Sequence, residues 1–164
     1  MYDLGIFMEG SKEVRAKLGV VIRDSDNLLP AFNQIARVFR EAESEQFDSL
    51  GARGGTEWPP LSTRYRKWKE KRYPGRPILV LSGRTRESLT RRTGDSYFTA
   101  DSHRMTIGTK VPYARFHQSG TRRMPKRPII ALTKDDVREF GRQIQLHVMK
   151  GLSAKERVER RAFL

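Results

Sequence analysis

The side chains best equipped for chemistry in this chain are few. Three histidines, His103, His117 and His147, stand too far apart for the paired spacing that holds a metal ion on one helix face. Cysteine is absent, which removes thiol nucleophiles, thiolate zinc sites and disulfides together and fits a cytosolic life. His117, Ser119 and Asp101 could supply a base, a hydroxyl and a carboxylate, but their order and spacing form no nucleophile elbow. Asp135-Asp136 is a carboxylate pair that the start of a helix accounts for, because negative charge there meets the positive end of the helix dipole. The glycine-rich GARGGT at 51–56 lacks the Lys-Ser/Thr ending of a phosphate-binding loop and reads as a flexible connection. These residues predict no enzyme, no metal and no cofactor.

Two basic segments are left. In residues 64–76, Tyr65, Trp68 and Tyr73 interleave with Arg64, Arg66, Lys67, Lys69, Lys71, Arg72 and Arg76, and TRRMPKRP at 121–128 carries Arg122, Arg123, Lys126 and Arg127. Such cations neutralise phosphates, and exposed rings stack on bases. The same residue types also pair with carboxylates across protein interfaces, or form a solvated face over rings that pack inward. The formal net charge is +14. Residues 1–50 hold 6 basic and 9 acidic side chains, residues 51–100 hold 12 and 4, and residues 101–164 hold 15 and 6. Such polarity suits a nucleic acid or an acidic protein neighbour, and composition does not choose between them.

Elements must position these segments. The length of 164 residues suits one domain, which we bound at 1–151, followed by a basic tail at 152–164. YDLGIFM alternates as a short strand does, and KEVRAKLGVVI reads as a short helix or a second strand. From Asp26, an Asp/Asn cap, Pro30 in the first turn and Leu28, Phe32, Ile35, Phe39, Ala42, Phe47 and Leu50 at helical spacing predict one amphipathic helix over 27–50. ILVL at 78–81 suits a buried strand or the first turn of a helix, and RTRESLTRRT suits a short helix. SYFTA and RMTIGT form a hairpin pattern, and PIIAL at 128–132 reads as a last strand. Thr133 then caps a helix over 134–150 with Val137, Phe140, Ile144 and Val148 on one face and a stop at Gly151. Residues 153–156 offer a possible capping box for a solvated helix or an arm. The fold class is therefore α+β: a small, mostly antiparallel sheet packed by the long helix and the C-terminal helix. Residues 51–76 and 113–127 are long loops outside it. No apolar run is long enough to cross a membrane and no signal peptide opens the chain, which predicts a soluble protein that is not exported.

The order of several fragments carries a resemblance. Phe47, Gly55, Trp58, Pro60 and Leu61 are followed by Tyr65 with Trp68-Lys69, then by Leu79, Ser82, Gly83 and Ser88. Tyr113-Ala114, His117-Gln118 and Gly120 come next, and Pro125, Arg127 and Pro128 close the series. In this order they resemble the phage virion morphogenesis family, which includes tail completion proteins and is similar to neck proteins that join heads to tails. The resemblance covers roughly residues 25–150. It departs at Arg84-Thr85-Arg86, where the family often has an apolar residue after the glycine.

The resemblance implies a structural role without a reaction. It points to a subunit of a ring, commonly of six copies, that completes the tail, contacts the tail tube or terminator protein and the head connector or stopper protein, and passes DNA through its lumen. The protein is then expected in the virion neck, and in the host cytoplasm during assembly. Trp58, Ser82, Gly83, Tyr113, His117, Gln118, Gly120 and Pro128 are expected as structural positions of the family pattern. Arg64, Arg66, Lys67, Trp68, Lys69, Arg122, Arg123, Lys126 and Arg127 are expected at a protein interface or the DNA channel. Glu41, Glu43, Glu45 and Asp48 offer an acidic counterpart on the next subunit. The alternative is a basic DNA-binding protein acting through residues 64–76 and 121–128.

Overall fold

In the computed structural model, the residues described are 26–162, together with Gly19 and Arg23, with side chains placed as far as Lys150. The expected strand at 2–8 and the segment KEVRAKLGVVI therefore lie outside them, Gly19 apart. Helix α1 runs Leu29–Asp48 and buries Phe32, Ile35, Phe39, Ala42 and Phe47, the apolar stripe that its spacing predicts. Pro30 sits in its first turn, where a missing N–H costs nothing, and Asn27 Oδ1 accepts from Leu29 N at 3.2 Å. A 3-10 turn at Ala52–Gly54 follows, then α2 at Thr63–Arg72 and α3 at Arg84–Thr90. Strands β1 (Ser96–Ala100) and β2 (Met105–Thr109) pair antiparallel, Phe98 opposite Ile107. The short α4 spans Ala114–Ser119 and α5 spans Lys134–Ala162.

The class is α+β, as the sequence predicts, but the sheet is only this hairpin among the described residues. α1 packs against α5 and α3, and α3 carries the hairpin. At the N-terminal end of α1, Leu28 N donates to Ser102 O at 2.8 Å in the hairpin turn, and His147 on α5 bonds Asn27 O at 2.8 Å. Phe39, Phe47, Trp58, Val80, Leu89, Val111, Ala114 and Ile129 form one buried cluster.

Four expectations are corrected. Residues 78–81 are a turn instead of a strand: Leu79 has φ 62°, a left-handed conformation that no strand contains, and Val80 N bonds back to Pro77 O. Residues 128–132 pass through the core without a partner strand, for a reason given below. The supposed loops 51–76 and 113–127 contain α2 and α4. Finally, α5 does not stop at Gly151 but continues to Ala162, since a single glycine weakens a helix by only about 1 kcal/mol. Its start is as expected: Thr133 Oγ1 accepts from Asp136 N, and Asp136 Oδ2 accepts from Thr133 N at 2.7 Å. Val137, expected on the inner face, is exposed.

Candidate functional site

Residues 128–132 explain much of how the site is held. Their backbone polar groups are buried and need partners, and side chains supply them. Gln118 Oε1 accepts from Ile129 N at 2.8 Å and Ile130 N at 3.0 Å, while its Nε2 donates to Ile130 O at 2.8 Å. One glutamine side chain thus takes the place of a neighbouring strand. Pro128 O accepts from both Trp58 Nε1 at 2.8 Å and Gln46 Nε2 at 3.1 Å. Gln46 Oε1 then holds Gly54 N at 2.9 Å, so the supposedly flexible GARGGT is ordered. A side chain at Gly54 would meet Ala131 Cβ at 2.5 Å, which only glycine avoids.

An ionic node lies beside this stitching. Arg53 binds both oxygens of Asp136, at 2.9 and 2.5 Å, and reaches Glu45 at 2.8 Å. These bonds, with those from Thr133, hold the Asp136 carboxyl down at about 2. Glu43 is buried nearby. Desolvation pushes its carboxyl up to about 8 against the pull of Arg53, with Asp136 adding to the rise, and its Oε2 has no hydrogen-bond partner. The expected acidic surface is therefore not free: Glu43 is inside, and Glu45, Glu41 and Asp48 pair with Arg53, Arg37 and Arg86 of the same chain.

The nine residues expected at an interface divide. Lys69 and Arg127 are buried, each about 4% exposed. Lys69 donates Nζ to Pro77 O at 2.5 Å, and Arg127 donates Nε to Pro59 O and Nη2 to Pro60 O at 2.8 Å each. Burial lowers the pKa of both, with Arg76 adding to the effect on Lys69. The other seven, Arg64, Arg66, Lys67, Trp68, Arg122, Arg123 and Lys126, are exposed. Among the described residues Arg64, Lys67, Arg122, Arg123 and Lys126 form no ion pair, and Arg66 meets Glu70 only at 3.9 Å. The α2 rings do not pack inward beneath a solvated face. Tyr65, Trp68 and Tyr73 are exposed and pack on one another, Tyr65 against Trp68 at 5.4 Å and Trp68 against Tyr73 at 5.8 Å.

These pieces enclose a groove of about 600 Å³. Leu61 and Tyr65 form one wall, Leu79 to Thr85 the floor, and Tyr113, His117 and Arg123 to Pro125 the other wall. No carboxylate lines it. The expected family positions Ser82, Gly83, Tyr113 and His117 thus meet at one place, while Trp58, Gln118 and Pro128 brace it from behind. Gly120 ends α4 at φ 75°, and a Cβ there would press on Lys126 N at 2.9 Å; the 121–127 turn folds back only over glycine. Arg127 N donates to His117 O at 2.8 Å and fixes that turn to α4. Burial, then Arg127, lowers the pKa of the His117 imidazole, and its Nδ1 is buried without a partner. No hydrogen bond joins His117 to Ser119 or Asp101 among the described residues. Ser119 Oγ bonds Arg115 O, and Asp101 Oδ1 holds His103 N and Arg104 N in the hairpin turn.

Sequence reading missed Gln46, Arg53 and Asp136 as the residues that tie α1 to α5. One signal was present: Glu43 and Gln46 occupy the same helical stripe as Phe39, Ala42 and Phe47. A polar residue on a buried stripe needs a partner.

Comparison with known proteins agrees with this pattern. The model of the phage virion morphogenesis family matches residues 10–149. A curated relative from Haemophilus influenzae, the Mu-like prophage FluMu G protein 1, is 33% identical over 109 residues, covering 65% of this chain and 70% of its own length. No solved structure matches. No described helix is long and apolar enough to cross a membrane.

Proposed function

The chain belongs to the phage virion morphogenesis family and has a structural role in the virion; from that premise we propose that it completes the tail as a ring subunit in the neck. Copies of the chain, commonly six, contact the tail tube or terminator protein on one side and the head connector or stopper protein on the other. DNA passes through the lumen. The work is done by binding, through heterologous contacts that repeat and close, and calls for no reaction.

The observation that carries this reading is the groove with its rim. Five exposed cations without ion pairs and three exposed rings flank an apolar groove free of carboxylates. Arginine, tyrosine and tryptophan are the residues that interface cores favour. The rings already pack on one another, which favours a protein hot spot over a platform for bases.

Imaging of purified particles tests the proposal. The expected result is density for this protein as a closed ring between head and tail, and full heads with unjoined tails when it is absent. Particles that lack the protein yet join normally would overturn it. Steeply salt-dependent, micromolar binding of DNA by the isolated protein would favour the DNA-binding alternative.

A further inference from the structure

The groove between α2, the 79–85 turn and the 121–127 turn has the shape and charge to take one extended segment. Its lining is Leu61, Tyr65, Leu79, Leu81, Tyr113 and Met124 where it is apolar. Its charged lining is cationic only, and of these groups Lys69 and Arg127 are fixed on carbonyl oxygens and Arg84 on Asp95. Arg123 remains, with Arg122 and Lys126 beside it. An occupant should therefore present apolar side chains to the floor and carboxylates to that rim.

The chain contains such a segment. Residues 1–10 have no lysine or arginine and carry Asp3 and Glu9. In an extended conformation, Tyr2, Leu4, Ile6 and Met8 face one side, and Asp3, Gly5, Phe7 and Glu9 the other. That alternation puts four apolar side chains on the groove and both carboxylates on its edge, the arrangement by which extended peptides are recognised in grooves. The opposite end of the chain has the wrong sign: residues 152–164 carry Lys155, Arg157, Arg160 and Arg161 against Glu156 and Glu159.

Reach is sufficient. The groove floor lies at the start of α3, near Arg86, which pairs with Asp48 at the C-terminal end of α1. Asn27 stands at the other end of α1, a 20-residue helix about 30 Å long. Residues 10–25 can extend about 50 Å, so residues 2–9 can leave their own subunit.

We propose that residues 2–9 of one copy dock in the groove of a second copy, apolar side chains inward and Asp3 and Glu9 on Arg123 and its neighbours. This rests on the ring reading above and names the contact that closes it. Each copy gives one arm and receives one, a heterologous contact suited to a closed ring.

The test uses full-length protein, a variant lacking residues 2–9, and a capped, fluorescent peptide of residues 1–10. We expect the shortened variant to bind the peptide saturably, and at least tenfold more weakly after Arg123→Glu. A peptide carrying Asp3→Lys and Glu9→Lys should also bind at least tenfold more weakly. Sedimentation should show self-association of the full-length protein and its loss on removing residues 2–9. Peptide binding indifferent to both charge changes would overturn the proposal, as would undiminished self-association of the shortened variant. Either result, with a neck ring still seen in particles, would leave the ring reading standing; absence of the protein from particles would remove that reading itself.

Discussion

Two regions of this molecule use the same residue types for opposite ends. In the node behind the groove, Arg53, Arg127 and Lys69 are held by Asp136, Glu45 and backbone carbonyls, at distances of 2.5 to 2.9 Å. On the rim, Arg122, Arg123, Lys126, Arg64 and Lys67 stand in water without ion pairs among the described residues. A basic run in a sequence is therefore two populations. What separates them is whether a carbonyl or carboxylate of the same chain lies within reach, and only the second population is available to a partner.

The sharpest way to break the comparison is to remove a cation from the node. Arg53→Met leaves Asp136 buried without its bidentate partner, beside Glu43, which is already buried. An uncompensated buried charge of this kind costs about 3 kcal/mol or more. Urea unfolding of the variant should show a midpoint lowered accordingly, with Asp136 titrating at higher pH than in the parent. A loss below about 1 kcal/mol would mean that the node is no more important than a surface pair.

Legibility from sequence follows the same division. Helix α1, the β1–β2 hairpin and the start of α5 were readable because each is determined locally, by apolar spacing, alternation and a Thr-x-x-Asp cap. The segment at 128–132 was not. PIIAL has the composition of a strand, but its hydrogen bonds come from Gln118, Trp58 and Gln46, two of them about 70 and 80 residues away. Nothing local marks a strand whose partner is a side chain. Leu79 at φ 62° is similar: an apolar residue in ILVL gives no sign of a left-handed turn. Of the site, the family positions from Ser82 to Pro128 were readable as fragments, and their convergence on one groove was not. The same nonlocal contacts hid the burial of Lys69 and Arg127, since a charge run reads as surface unless the carbonyls of Pro59, Pro60 and Pro77 are known to lie beneath it.

A second effect, smaller and reversible, comes from Glu43. Its folded value of about 8 lies above the ordinary 4.5, so the folded state holds a proton that the unfolded state releases between those values. The associated stability is fully present below about 4.5 and is lost as pH rises through about 8. Asp136 works on the acid side, its contribution present above 3.8 and lost as pH falls through about 2. Denaturation midpoints measured from pH 5 to 9 should therefore fall by an amount on the order of a few kcal/mol. Glu43→Gln, which keeps the shape and a hydrogen-bonding amide, should flatten that fall. An unchanged slope in the variant would locate the pH dependence elsewhere.

The smallest effect on stability should come from the rim, and there the comparison is most informative. Changing Arg122, Arg123 and Lys126 to glutamate removes no ion pair of the chain, so the unfolding midpoint should move by no more than about 0.5 kcal/mol for each change. The loss expected is in assembly: reversal of three unpaired cations beside an apolar groove repels any acidic partner that the parent attracts. Joining of heads to tails, counted in particles made with the variant, should therefore fail although the subunit is folded. If the triple variant unfolds more easily, these cations belong with Arg53 and Arg127, and the division between the two regions dissolves. If it is stable and assembles normally, the rim is simply solvated, and the interface has to be sought on another face, of which the exposed Leu146 and Met149 on α5 are the nearest apolar candidates.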